Sequence, residues 1–325
     1  MAERTKGSAL LASEQGLSIV EALEPAGNRL LSWFNRRGWR FGLVAIPYVW
    51  LLLFFLAPFA IILAISVGES VIAVPPFRWG ENWPMAIRVS FGNFSYLFED
   101  DTYWFGYVNS VRIAGIATVL CLLLGYPMAY GIARASGAWR NILLLLIILP
   151  FWTSFLLRIY AWMGLLSTNG VINQILQALY IIDSPLQMMN TNFAVYIGIV
   201  YSYLPFMILP LYANLERLDH TLNEAAMDLG SRPFRVFIDV TLPLSVPGIV
   251  AGALLVFIPA TGEYVIPALL GRADNPMIGR VLFDEFFINR DWPLACAVAV
   301  ILLLVLVVPI MLFNNFQAKS GEKAA

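Results

Sequence analysis

The sequence predicts an all-α membrane protein with six transmembrane helices and both termini in the cytoplasm. Three observations carry this. Of 325 residues, 60% are hydrophobic and only 13% are charged. A soluble domain holds about 25% charged residues, and half that charge cannot cover a water-facing surface of this size. Six stretches are apolar for about 20 residues, the length a helix needs to cross the hydrocarbon core. Finally, Lys and Arg collect in alternate connecting loops, the bias that orients a helix bundle with its basic loops inside the cell.

The elements follow in order. Residues 1–40 form a cytoplasmic segment, flexible or lying on the membrane surface. They hold six basic and four acidic residues and no apolar core of signal-peptide length. The Arg36-Arg37 pair reads as an anchor for the first span rather than as a twin-arginine signal. The membrane domain occupies residues 41–316. Its spans are 41–67, 113–133, 141–157 with apolar character resuming past Arg158 to 166, 193–215, 244–262 continuing past Glu263 to 270, and 294–313. Residues 317–325 form a cytoplasmic tail. An even number of crossings puts both ends on one side. That side carries thirteen Lys and Arg, in residues 1–40, 134–140, 214–243 and the tail, against five in the opposite loops. It is therefore the cytoplasmic side. The outer loops carry ten acidic residues against those five basic ones. Such a field attracts cations, or is what remains when the positive-inside bias drains Lys and Arg from that face.

Several function classes are excluded. One histidine, His220, and two cysteines in apolar runs, Cys121 and Cys296, leave no basis for a His-based metal site, a disulfide framework or a redox pair. No GxxxxGK[ST] or GxGxxG loop is present. If ATP drives the protein, another subunit binds it. No catalytic residue, metal or cofactor is expected on this chain, and no nucleic-acid partner. Membrane lipid surrounds most of it.

The spans themselves point to transport. Eight prolines, at 127, 150, 205, 210, 247, 259, 267 and 309, fall in spans two to six. Each removes a helix hydrogen bond, which marks either moving helices around a pathway or ordinary kinks. Two ionisable residues interrupt the apolar runs, and such groups at membrane depth are functional candidates. Arg158 lies 17 residues beyond Asn141, about 25 Å along a helix, a placement near the outer interface where its side chain can snorkel. Glu263 sits between Pro259, Gly262 and Pro267, where broken backbone lines a cavity in other membrane proteins. With Tyr264 it offers a carboxylate and a ring face to a cation, or it is an interfacial acid paired with an arginine.

The loop between spans four and five, within residues 214–243, carries the most local pattern. Thr221 and Asn223 are N-cap candidates, with Glu224 in the first turn. Gly230 fits a helix-ending left-handed position. Ser231 is placed to cap a second helix with Pro233 in its first turn, and Pro243 to stop it before span five. The outcome is a helix–turn–helix under the membrane, serving as a docking site or as a connector resting on lipid. Glu224-Ala225-Ala226, three residues, Gly230, nine residues and Val240-Thr241-Leu242-Pro243 resemble the EAA loop of ABC-importer membrane subunits, with Val240 where the family usually has Ile. Residues 149–164 (Leu-Pro-Phe-Trp-Thr-Ser-Phe-Leu-Leu-Arg-Ile-Tyr-Ala-Trp-Met-Gly) and 257–267 (Phe-Ile-Pro-Ala-Thr-Gly-Glu-Tyr-Val-Ile-Pro) are similar to polyamine permeases, as are Met277-Ile-Gly-Arg280 and Asn289-Arg-Asp-Trp-Pro293. Within that family the putrescine-importer type is most similar, with Glu263 the discriminating residue.

The resemblance covers nearly all of the chain beyond residue 41. It implies a type I ABC importer permease with the MetI-like fold, in a bacterial inner membrane. It also implies an assembly with a second homologous permease as a heterodimer, two ATPase subunits and a periplasmic substrate-binding protein. ATP and Mg would be used by the partner ATPase. Docking roles fall to Glu224, Ala225 and Ala226, with Asp228, Arg232, Pro233, Leu242 and Pro243 in the same loop, and the bend to Gly230. Arg158, Tyr160, Trp162, Glu263 and Tyr264 are candidates for the substrate pathway. Outside this expectation stand an ABC permease for another small solute, a stand-alone secondary transporter, which would need paired ionisable residues, and a membrane enzyme, which would need a catalytic cluster.

Overall fold

The computed structural model describes residues 39–79 and 89–322. The expected N-terminal segment lies outside them except for its last two residues, as do residues 323–325 of the tail. The chain divides into two units, Met1–Ile62 and Leu63–Ala325. Helix α1 (Trp39–Leu51) passes through a π-helical turn at Leu52–Leu56 into α2 (Ala57–Ser66), within which the first unit ends. Ile46, Trp50, Phe54 and Phe55 present exposed apolar faces, as a helix does whose solvent is lipid.

In the second unit a small antiparallel hairpin comes first, β1 (Glu69–Ser70) with β2 (Phe77–Arg78). Helix α3 (Gly92–Glu99) follows, then α4 (Asp101–Arg134). Helix α4 begins twelve residues before the apolar run predicts. The Asp100 carboxylate caps it by accepting from the Thr102 amide at 2.8 Å, and that bond holds the carboxyl below the usual range. Tyr107 donates to the Val298 carbonyl at 2.7 Å and Tyr103 to Glu285 at 2.8 Å, so tertiary contacts hold turns whose residues are too polar to be read as membrane-spanning.

The third crossing also departs from expectation. Helix α5 (Gly137–Ile148) gives way to a 3-10 turn at Leu149–Trp152, two extended residues, and α6 (Phe155–Leu166). Pro150 and the Thr153 hydroxyl, which donates to the Pro150 carbonyl at 2.7 Å, make the break. Helix α7 (Val171–Ala178) lies beyond a second break, and α8 (Asn192–Glu216) is the fourth crossing. Length and composition alone would accept 155–178 as one span. Yet α6 has only 12 residues, a rise of about 18 Å against a hydrocarbon core of about 30 Å. Arg140 bonds Glu216 at 2.7 Å, Phe151 meets Phe206, and Trp162 meets Tyr201. Residues 137–166 therefore climb antiparallel to α8 as a single broken crossing.

Helices α9 (His220–Asp228) and α10 (Pro233–Val236) form the cytoplasmic loop. A π turn at Phe237–Thr241 leads directly into α11 (Leu242–Thr261). Pro243 therefore does not end the second loop helix. It falls just after the wider π turn, where the missing amide is tolerated in the first turn of α11. Helices α12 (Val265–Leu270) and α13 (Ile278–Phe283), a π turn at Asp284–Asn289 and α14 (Trp292–Glu322) complete the chain. Six stretches among the described residues are long and apolar enough to cross a membrane.

The core is the triple contact of α4, α8 and α11. Cys121 and Ala129 on α4 cluster with Met207, Ile208 and Leu211 on α8 and Val256 on α11. Gly248 and Gly252, one turn apart on α11, let it close on α8: a Cβ at Gly252 would lie 2.8 Å from Met207 Sδ and 3.0 Å from Met207 O. Small residues at this spacing bring helices together where lipid offers no hydrophobic gain. At the outer end Asn109 donates to the carbonyls of Asn275 and Pro276, and Ser110 accepts from the Ile278 amide at 2.7 Å.

Candidate functional site

Two regions carry the expected functional residues. The first is the cytoplasmic loop. Its first helix is capped by Asp219, whose carboxylate accepts from the Thr221 amide at 2.9 Å, and not by Thr221 or Asn223. Asn223 is buried instead and accepts from the Thr241 hydroxyl at 3.3 Å. The helix ends as expected at Gly230, with φ of +90°. The Gly230 amide donates to Met227 O at 2.8 Å and the Ser231 amide to Ala226 O at 3.1 Å, which closes the last turn. Ser231 does not cap the second helix. That position is Arg232, with Pro233 in the first turn and no side-chain bond.

Glu224, Ala225, Asp228, Gly230, Arg232, Pro233 and Pro243 are exposed, and Ala226 and Leu242 are half-buried. Two apolar side chains that sequence reading passed over flank the bend, Leu229 at 88% exposure and Phe234 at 75%. An apolar residue in a polar loop is the signal that would have found them. They put apolar surface beside the exposed charges of Asp228, Arg232 and Arg235.

The second region surrounds the break between α11 and α12. Glu263 is 9% exposed. Its Oε1 accepts from the Val265 amide at 3.0 Å and the Ile266 amide at 3.4 Å, and its Oε2 accepts from the Tyr203 hydroxyl. No arginine is within ion-pair distance among the described residues. The carboxylate ties the start of α12 to the middle of α8. Tyr264 turns the other way and stacks on Phe283 at 3.9 Å, so the acid and the adjacent ring do not face one ligand together.

Arg158 is not near the outer interface. The break at 149–154 shortens the climb, and the contacts of Phe151 with Phe206 and Trp162 with Tyr201 set Arg158 level with the middle of α8. Its guanidinium lies 5.6 Å and 5.7 Å over the rings of Phe151 and Phe155, a cation held by ring faces. Tyr160 points to an exposed face, while Trp162 is half-buried against Tyr201 at 5.5 Å. A run of contacts from Arg158 through Phe151, Phe206 and Tyr203 reaches Glu263. Tyr203 and Phe206 were not singled out in the sequence. One tyrosine or phenylalanine among many in an apolar span carries no local mark. Pro127, Pro150 and Pro205 meet on one apolar groove of about 550 Å³ between α4, α5 and α8.

Comparison with known proteins gives this geometry its setting. The chain is 42% identical over 260 residues to the spermidine/putrescine transport system permease protein PotB of Haemophilus influenzae, covering 79% of this chain and 86% of the relative. It is 45% identical over 207 residues to the same-named protein of Escherichia coli K12, covering 64% and 75%. A crystal structure of a bacterial alginate ABC transporter, in complex with an alginate pentasaccharide-bound periplasmic protein, superposes with a TM-score of 0.70 at 15% identity. It covers 90% of this chain and 98% of that one, a likeness of fold. Residues 121–319 match the family described as binding-protein-dependent transport system inner membrane component. The chain belongs to that family and is a multi-pass inner-membrane permease subunit of an ABC importer.

Proposed function

We propose that this chain forms half of the translocation pathway of an ATP-driven polyamine importer, with putrescine the preferred cargo and spermidine the second. The observation that carries the cargo is the 42% identity, over most of both chains, to a permease named for spermidine and putrescine. The partners follow from the same reading: a second, different permease, two ATPase subunits and a periplasmic binding protein. ATP and Mg are held by the ATPase. In this chain the cytoplasmic loop is the dock. Glu224, Ala225, Asp228 and Arg232 offer charge and small surface, and Leu229 and Phe234 enter the partner's groove on either side of Gly230. ATP binding draws the docked loops together and turns the pathway outward, and hydrolysis returns it.

Along the pathway, Glu263 is the anionic group a diamine would pass. Three of its acceptor positions are taken by Tyr203 and two amides, which fixes where its charge sits. Arg158, Tyr160 and Trp162 line the broken third crossing at a neighbouring depth. Among the described residues no cation pairs with this charge, and a passing ammonium group supplies that match.

The test is the reconstituted complex, assayed for ATP hydrolysis with binding protein loaded with putrescine or with spermidine. Stimulation by both, stronger with putrescine, is the expected result. Hydrolysis that responds to neither polyamine would overturn the cargo assignment.

A further inference from the structure

We propose that Phe237 and Asn223 are positioning residues that carry movement of the cytoplasmic loop into spans two and five. This extends the proposed docking of an ATPase on that loop.

The loop is exposed over most of its length but anchored at two points. Asn223, on α9, is 8% exposed and accepts from the Thr241 hydroxyl at the end of the π turn. A buried polar pair of this kind is costly to break, since each partner would be left unsatisfied. Helix α9 and the π turn therefore move as one piece. At the start of that turn, Phe237 enters the gap between Tyr126 and Tyr130, four residues apart on α4. The ring centroids lie 5.6 Å and 5.8 Å away with interplanar angles of 86° and 87°. Edge-to-face contact on two sides holds a ring against sliding in either direction.

Both tyrosines are held in turn. The Tyr126 hydroxyl lies 2.9 Å from Ser245 Oγ, and Ser245 donates to the Leu242 carbonyl at 2.8 Å. The Arg134 guanidinium sits 4.4 Å over the Tyr130 ring. Phe237 is thus the tooth by which the loop engages α4. The π turn adds a second property. Its hydrogen bonds span i to i+5, and single turns of this kind inside α-helices recur at functional sites. Force on α9 reaches α4 through Phe237 and α11 through Thr241.

The test uses the full importer in proteoliposomes, with three readouts: ATPase retained on purification, ATP hydrolysed, and putrescine taken up per ATP. Phe237→Ala is expected to keep the ATPase and its hydrolysis while uptake per ATP falls about tenfold, the size of effect seen when a coupling contact is removed. Phe237→Tyr, which keeps the ring, is expected to retain most of the uptake. Tyr130→Leu makes the same cut from the receiving helix and decides the matter should Phe237→Ala fail to fold. Wild-type uptake per ATP in both variants would overturn the inference while leaving the dock in place. Loss of the bound ATPase from folded Phe237→Ala would also overturn it, by making Phe237 part of the dock itself. A wild-type complex that never retains an ATPase would instead sink the docking proposal.

Discussion

The Glu263 carboxylate does two things at once, and substitutions can separate them. It caps α12 through the amides of Val265 and Ile266 and holds Tyr203 by its hydroxyl. Glu263→Gln keeps an oxygen for the amides and a donor for the phenol oxygen, but removes the charge. The variant should melt within about 1 kcal/mol of wild type, while putrescine uptake falls by about an order of magnitude, the effect expected when one charge-assisted contact is lost. Glu263→Ala leaves buried amides and a phenol without a partner, at about 1–3 kcal/mol each, and should lower the melting temperature as well. Full uptake by Glu263→Gln would reduce the carboxylate to a structural cap. Sequence exposed this residue because a charge inside an apolar run stands out. Tyr203 was hidden because its role exists only through a partner 60 positions away.

At the scale of elements, close approach of α8 and α11 depends on Gly248 and Gly252. A side chain at Gly252 meets the Met207 backbone, which cannot give way as a flexible side chain would. Gly252→Val is expected to cost about 1–3 kcal/mol by overpacking. It should be read as a lower melting temperature of the purified chain beside Gly115→Ala, whose added Cβ meets nothing within 4 Å. Equal melting of the two variants would remove the glycine pair from the packing argument. The elements least legible in the sequence were the irregular ones. The break at Thr153 and the π turn before Pro243 both sit beside prolines, which a local reading takes as stops. Whether a proline ends a helix, bends it or rides on a widened turn depends on what the freed carbonyls can bond, and those partners come from the surrounding structure.

At the scale of the whole molecule, orientation and the single broken crossing make a joint prediction. Cys121 and Cys296 are buried, so single introduced cysteines report cleanly. A membrane-impermeant maleimide should label Tyr180→Cys and Asp274→Cys from the periplasmic side, and Leu229→Cys only in inverted vesicles. Tyr180→Cys labelled from the cytoplasm would mean that residues 137–166 cross twice. Composition, span count, orientation and the loop pattern were all legible from the chain alone. Transfer of apolar surface to lipid and the basic-loop bias act on about 20 residues at a time, so a local sum suffices. The loop from Glu224 to Pro243 was recognisable because its acidic residue, two alanines and glycine bend lie close together in sequence. Only the tertiary structure decided that Glu263 faces Tyr203 and not Tyr264, that Arg158 lies at mid-depth, and that Phe237 engages Tyr126 and Tyr130. Each of these is a contact between residues far apart in the chain, created by packing, and no local pattern encodes it.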